Sequence, residues 1–505
     1  MLCKLAIALT AALMVVGCAS NPATGGHNVV LSSTKSEIEQ SRRLYEQIVR
    51  AYGLYEDQAL QDYVNSVGQK VARNSELADW TFHFTVLDDE SVNAFTTGGG
   101  YVYVHRGLLA YLTTEAELAA VLGHEIGHVT ARHPARRQTR GVLASVLATG
   151  AAIMTGSSAI AQMANVGATA WLQGYGRENE MEADRFGMVY ATKTGYDPEA
   201  MGEVFKVFRS QESFELQRAK DEGREPQIYH GVFSSHPAPD ERAVQAAKGA
   251  ASITETPEGG WIENREAYLK AIDGLPYGSS RAQGIVRDNR FYHADMGITL
   301  AFPKGWTIEN QHDRILAYSK GRQIKTKDED AAQNPTLGKD SIMQVTVKPR
   351  PEKQGPREFL LENLRGASLA HGEEIEVNGM SGYTVVTRNG SPLDGGEGPV
   401  RWAVLYRDKS AFLFGGASRS GARGLPADDG LFQSTVQTMR NLKPSEYPLA
   451  QPYRLKIVQV TDQTRLEDYA RNVPVERYQK EELELLNGIY PKGKLTPGQS
   501  LKVVE

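Results

Sequence analysis

Cysteine is almost absent from this chain: Cys3 and Cys18 are the only two in 505 residues. A fold stapled by disulfides is thereby excluded, although an exported protein could have used one. Basic excess is missing too. Lys and Arg number 56 against 61 Asp and Glu, a formal net charge of -5, which argues against a nucleic-acid partner. Hydrophobic residues make up 41% and charged residues 23%, the balance of a soluble globular chain, and its length predicts two to four domains. Long apolar runs are scarce. The one long stretch without charge, Gly141 to Gly176, is rich in Gly, Ala, Ser and Thr and breaks near Thr155-Gly156-Ser157-Ser158. Each half is shorter than the roughly 20 apolar residues of a membrane span. It is expected as a helical hairpin, buried or self-associating rather than lipid-facing.

What the chain does have begins at its N-terminus. Lys4 precedes an apolar segment, Leu5 to Val16, that ends in Val15-Val16-Gly17-Cys18. This resembles a bacterial lipobox, so residues 1–17 read as a lipoprotein signal peptide and Cys18 as the lipidated residue. Ala19 follows where an aspartate would point to the inner membrane. The expected location is therefore periplasmic, lipid-anchored to the inner leaflet of the outer membrane. Residues 18–35, rich in small and polar residues, read as a tether.

The chain is organised around Leu118–His133, LAAVLGHEIGHVTARH. On a helix, residues four apart share a face, so His124 and His128 can offer two imidazole nitrogens to one metal ion. Glu125 sits one position round, where a general base for a metal-activated water belongs. Thr114 and Glu117 form a capping-box pattern. Leu118, Val121, Leu122, Ile126 and Val129 keep helical spacing. Gly123 and Gly127 each cost about 1 kcal/mol of helix propensity, a cost explained by a backbone or a substrate approaching that face.

A catalytic zinc needs a third protein ligand. The metzincin register fails, because its glycine and histidine positions are here Ala131 and Pro134; His133, one place out of register, reads as a helix C-terminal residue. The other source is a glutamate on a later helix, and Arg177-Glu178-Asn179-Glu180-Met181-Glu182-Ala183-Asp184 supplies three. Glu180 and Asp184 share a face with the small Ala183 and Gly187 and can approach the glycines of the first helix. Asp184 is then placed to hydrogen-bond a ligating histidine. Glu178 and Glu182 share another face with Arg185, as solvated ion-pair partners do.

Upstream, Ser36 to Ala72 predicts two amphipathic helices and Trp80 to Leu87 a strand. Asn93-Ala94-Phe95 leads through Gly98-Gly99-Gly100 into Tyr101-Val-Tyr-Val. The glycines do not fit a dinucleotide-binding loop. They suit either a plain hairpin or an edge strand to which a peptide substrate adds.

Together, His124-Glu-Ile-Gly-His128 and Glu180-Met-Glu-Ala-Asp184 resemble the HExxH…ExxAD pair of the HtpX- and BepA-like gluzincin metallopeptidases, metallopeptidase family 48. Asn93-Ala94-Phe95 with Tyr101 to Leu109 resembles that family's edge-strand segment, and Ser234-Ser235-His236-Pro237 with Arg242 resembles its downstream element. The resemblance implies a mainly helical zincin-type domain over residues 36–275, with one Zn2+ held by His124, His128 and Glu180, Glu125 as base, and substrate along Asn93, Ala94 and Phe95. His236 could reach the cleft to stabilise an oxyanion, close the open metal position, or act as a structural cap. Arg242 could share the oxyanion role or ion-pair locally.

Beyond a linker near Leu275–Ser280, residues 284–445 alternate like an α+β domain, and Gly297 to Trp306 resembles the entry strand of PsbP-like domains. His293, His312 and His371 read as isolated surface residues. Residues 452–505 resemble a degenerate LysM module, with Thr461-Asp462-Gln463-Thr464 where its usual glycine-aspartate-threonine stands. Peptidoglycan binding and a structural role both remain open for it. The expected fold class is thus multidomain. The expected function is a zinc endopeptidase acting on unfolded or misassembled envelope proteins in quality control. A chaperone or assembly scaffold for outer-membrane proteins, with a latent metal site, is the alternative.

Overall fold

A computed structural model describes residues 17–20, 22–23, 25, 27–30, 32–139, 175–224, 226, 239–319, 340–393, 398–418, 424–475 and 477–505. Most of the signal segment, nearly all of the uncharged stretch and His236 lie outside these residues. Among the described residues no helix is long and apolar enough to cross a membrane. The chain divides into two compact units, the first built from residues 1–277 and 453–505 and the second from 278–452.

The first unit opens with a short antiparallel ladder, β1 (Gly17–Ser20) against β2 (His27–Val30), which begins at the last residue of the expected signal peptide and runs into the expected tether. Two helices follow. In α1 (Thr34–Tyr52), Ser33 accepts the Ser36 N–H at the start and Gly53, at φ 82, ends the run. In α2 (Gln58–Ala72), Asp57 caps Leu60 and one face buries Leu60, Val64, Val67 and Val71, the spacing that drives a helix into a core.

A three-stranded sheet comes next: β3 (His83–Leu87), β4 (Ala94–Gly98) and β5 (Tyr101–His105), in the order β3-β5-β4. The aromatic strand β5 is therefore central and wholly buried, with β3 and β4 at the two edges. A single-turn helix, α3 (Arg106–Tyr111), leads to α4 (Glu115–Thr130), of which every residue is buried. Its start is well capped. Thr114 accepts the Glu117 N–H at 3.1 Å, while the Glu117 carboxylate reaches back to Thr113 rather than Thr114.

Among the described residues of this part, four more helices follow: α5 (Arg177–Lys193), α6 (Ala200–Glu222), α7 (Pro239–Ala251) and α8 (Arg265–Ile272). Helices α4 and α5 touch backbone to backbone. A Cβ on Gly123 would stand 2.7 Å from the Gly187 carbonyl oxygen, and one on Gly187 only 2.5 Å from the His124 nitrogen. The partner that Gly123 and Gly127 admit is thus another helix.

The C-terminal stretch joins the same unit. The strands Tyr453–Gln459 and Ser500–Val504 pair with each other, and Tyr453 and Arg454 pair with Tyr277 and Pro276. Leu455, Leu501, Val503 and Val504 belong to the hydrophobic core that holds Leu108, Leu122 and Ile126. Lys502, wholly buried, donates to the carbonyls of Ala110 and Leu112 at 2.7 and 2.6 Å. An amino group at the C-terminal end of α3 satisfies carbonyls that the helix itself leaves without donors.

The second unit carries, among the described residues, a seven-stranded antiparallel sheet running from Thr307–Asn310 at one edge to Leu369–Val377 at the other. A smaller sheet of four strands lies in the same unit. A helix spans Pro356–Asn363, and Leu369 opens the edge strand of the larger sheet. Gly366, at φ +90, lies in the turn between them. His293 is buried rather than on the surface, accepting the Met296 N–H in a turn, whereas His312 and His371 are exposed.

Candidate metal centre

Helix α4 presents His124 and His128 on the face that meets α5, and α5 answers with Glu180. Among the described residues these three form the one group of ligand-type side chains whose donor atoms all lie within 4.8 Å of one another. His124 Nε2 stands 3.0 Å from His128 Nε2 and 3.6 Å from Glu180 Oε2, and His128 Nε2 stands 3.5 Å from Glu180 Oε1. Ligand atoms 2.0–2.1 Å from a tetrahedral zinc lie about 3.3 Å from one another. The residues present therefore fit the ion. Two imidazoles and a carboxylate are also a donor set of catalytic zinc sites that keep one position open.

The surrounding groups hold these donors in place. Asp184, one turn beyond Glu180, accepts from His124 Nδ1 at 2.7 Å, which places the His124 lone pair at Nε2. Arg242, from α7, forks onto Asp184 through Nε and Nη2, both at 2.7 Å, and reaches Glu180 Oε2 through Nη1 at 2.9 Å. Phe205 of α6 lies under the guanidinium, 4.9 Å from it. Burial opposes the charge on Asp184, but the Arg242 charge and the bonds from Arg242 and His124 outweigh it and hold the carboxyl well below its usual range. The ring of Tyr175 stacks on His128 with centroids 4.1 Å apart.

Glu125 is buried on the neighbouring face of α4. With His124, Arg242, Ala94, Val121 and Phe205 it lines a cavity of about 30 Å³, room for a water molecule or two. Successive strand residues point to opposite faces, and β4 shows the result. Ala94 faces the cavity, whereas Phe95 turns away to stack on Tyr103 at 4.9 Å and pack near Tyr52 of α1. Asn93 gives its carbonyl to the His105 N–H at 3.0 Å. Of the side chains singled out in the sequence, the structure thus gathers His124, Glu125, His128, Glu180, Asp184, Arg242 and Ala94. His236 and the Cys18 side chain lie outside the described residues.

Sequence reasoning missed His133. It is fully buried, with Nδ1 2.7 Å from His128 Nδ1 and Nε2 2.9 Å from Glu182 Oε2. Arg132 brings it there. After α4 ends, Arg132 takes a left-handed conformation, φ 57, held by an ion pair with Glu37 of α1 and a bond to the Ser32 carbonyl. Glu182 is accordingly turned toward His133 and Arg136, not Arg185.

The sequence around this site has known relatives. Residues 58–250 match the model of peptidase family M48. The M48 segment holds every donor of the centre. A β-barrel assembly-enhancing protease of Yersinia pestis is 35% identical over 214 residues, covering 40% of this chain and 41% of that protein. A mitochondrial metalloendopeptidase OMA1 of Arabidopsis thaliana is 30% identical over 157 residues, 30% of this chain and 32% of its own. The chain thus spans about two fifths or less of the length of these relatives. Among solved structures, the cyanobacterial PsbP of Synechocystis sp. PCC 6803 aligns at 14% identity over 31% of this chain and 95% of its own, with a TM-score of 0.22. That score is too low to bear on the fold.

Proposed function

We propose that this chain is a zinc-dependent endopeptidase of the bacterial cell envelope that hydrolyses misfolded or misassembled envelope proteins, outer-membrane β-barrel proteins among them. The convergence of His124, His128 and Glu180, with Glu125 lining the adjoining cavity, carries the reading. The M48 segment and the names of its bacterial relatives support the substrate class.

A zinc ion held by the three donors supplies Lewis acidity toward a scissile carbonyl and toward water. Everything else falls to the chain. Glu125 takes a proton from the attacking water at its carboxylate and delivers it to the departing amine. Asp184 keeps the His124 ring turned so that Nε2 faces the metal. Arg242 ion-pairs with both buried carboxylates, Glu180 and Asp184, and fixes both rotamers, a positioning role that its three short contacts favour over oxyanion binding. Ala94 on the edge strand β4 brings an extended substrate past Glu125. Lipidation of Cys18 anchors the chain at the inner leaflet of the outer membrane. The burial of Ser500–Val504 in the core favours a structural role for residues 452–505 over peptidoglycan binding.

The test is cleavage of an unfolded casein by the purified protein. Hydrolysis is expected with zinc, lost with chelator, and reduced about 10²–10⁴-fold in Glu125→Gln, with zinc content unchanged. Cleavage that survives either treatment sinks the proposal. Full complementation of an envelope defect by Glu125→Gln would move the biological role to the scaffold alternative.

A further inference from the structure

We propose that His133 and Glu182 are positioning residues of the metal centre, holding His128 in the tautomer whose Nε2 lone pair faces the metal. The proposal rests on the zinc site put forward above and extends it to residues outside the ligand set.

The argument is one of proton counting. The 2.7 Å separation between His128 Nδ1 and His133 Nδ1 is a nitrogen-to-nitrogen hydrogen bond, and such a bond holds one proton, not two. At the other side of the ring, His133 Nε2 lies 2.9 Å from a carboxylate oxygen of Glu182. A carboxylate only accepts, so His133 Nε2 is the donor. A neutral His133 protonated at Nε2 has its lone pair at Nδ1, and the shared proton then belongs to His128 Nδ1. The lone pair of His128 is left at Nε2, the atom facing His124 Nε2 and Glu180.

The inverse arrangement needs a doubly protonated His133 and puts a proton on His128 Nε2, where it would bar a metal. The donor atoms of His124, His128 and Glu180 converge on that position, so only the first arrangement leaves His128 a lone pair to offer there. His124 takes its orientation directly from Asp184; His128 takes its own through an extra ring. That relay runs outward to Glu182, whose side chain is 22% exposed and also accepts from Arg136 Nη1 at 3.2 Å. The ring of Tyr175 stacked on His128 limits its rotation from the side. Carboxylate–histidine–metal chains of this kind set ligand basicity as well as orientation.

Zinc affinity of the purified full chain, read by competition with a chromophoric chelator, tests the proposal. His133→Phe and Glu182→Leu are each expected to weaken zinc binding about 10–100-fold, with hydrolysis returning at saturating zinc. Glu178→Gln, an exposed change one turn away on α5, is expected to leave affinity unchanged. Long-range ¹H–¹⁵N spectra of the metal-free protein should show His128 protonated at Nδ1 in the wild type and as mixed tautomers in Glu182→Leu, a signature that a packing role would not produce. Should His133→Phe fail to fold, Glu182→Leu, near the surface, decides. Wild-type affinity and an unchanged His128 tautomer in folded Glu182→Leu overturn the proposal. Wild-type affinity in His124→Ala instead overturns the zinc site itself, so the two failures are told apart.

Discussion

Gly127 and Ala183 meet through their backbones: a Cβ on Gly127 would stand 2.8 Å from the Ala183 carbonyl oxygen. The candidate metal ligands therefore sit on two helices whose separation is set by main chain against main chain. Gly127→Ala improves helix propensity by about 1 kcal/mol, yet it forces α4 and α5 apart. The overlap is expected to prevail, at a net loss of about 1–3 kcal/mol, together with weaker zinc binding as Glu180 recedes. Urea titration and metal analysis of the variant measure both effects. A stabilised variant with full zinc content would show that the contact relaxes freely.

Glu180→Ala is expected to lose zinc, since two imidazoles alone do not complete the site. Metal analysis after dialysis against dilute chelator reads this directly. Full retention of zinc would remove Glu180 from the ligand set.

Arg242 is the cation between two buried carboxylates. Arg242→Leu leaves Glu180 and Asp184 without their partner and is expected to cost about 3–5 kcal/mol of stability. Adding Asp184→Asn to the same chain removes one of the stranded charges and should return part of that loss. Unfolding curves of the single and double variants give the answer. Additive losses would mean that the Arg242–Asp184 contact is not coupled.

Burial pushes the Lys502 ammonium down to about 7, against the opposing pull of Glu117. In the unfolded chain a lysine stays protonated to about pH 10.4. Between these values the unfolded state binds more protons, so stability rises with pH across the window and the gain is absent below about pH 7. The slope approaches at most about 1.4 kcal/mol per pH unit. Lys502→Met should lose that slope. Urea titrations of both proteins at pH 7 and pH 9 compare them, and parallel profiles would refute the assignment.

The second unit is an insertion whose two ends are strand partners in the first, Tyr277 opposite Tyr453. Replacing residues 278–452 by a short Asn-Gly-containing turn should leave a folded first unit that binds zinc, because a hairpin turn bridges adjacent antiparallel strands. Circular dichroism and zinc content check this. An unfolded product would place part of the first unit's stability in the insertion.

Much of the centre was legible because its signals are local and periodic. His124, His128 and Glu125 lie within one helical turn or so, and Glu180 and Asp184 repeat that spacing with small residues beside them. The glycines of α4 announced a close neighbour. His133 escaped because helical spacing says nothing beyond the left-handed turn at Arg132, and Glu182 because its partner comes from another helix. The edge strand was hard to place for a related reason: which of β4 and β5 is central depends on β3 pairing in parallel with β5, a long-range choice. The union of residues 453–505 with the first unit was equally hidden, since the decisive pairing joins segments on either side of the insertion.

Lys502 and its strand also give the fold a timetable. Residues 500–504 are made long after the candidate metal donors, yet they fill the core beside α4 and satisfy the carbonyls of Ala110 and Leu112. A chain interrupted anywhere after Arg242 already carries all the metal donors but on an unfinished fold. The core beside α4 is therefore expected to close only once Ser500–Val504 have been added to it.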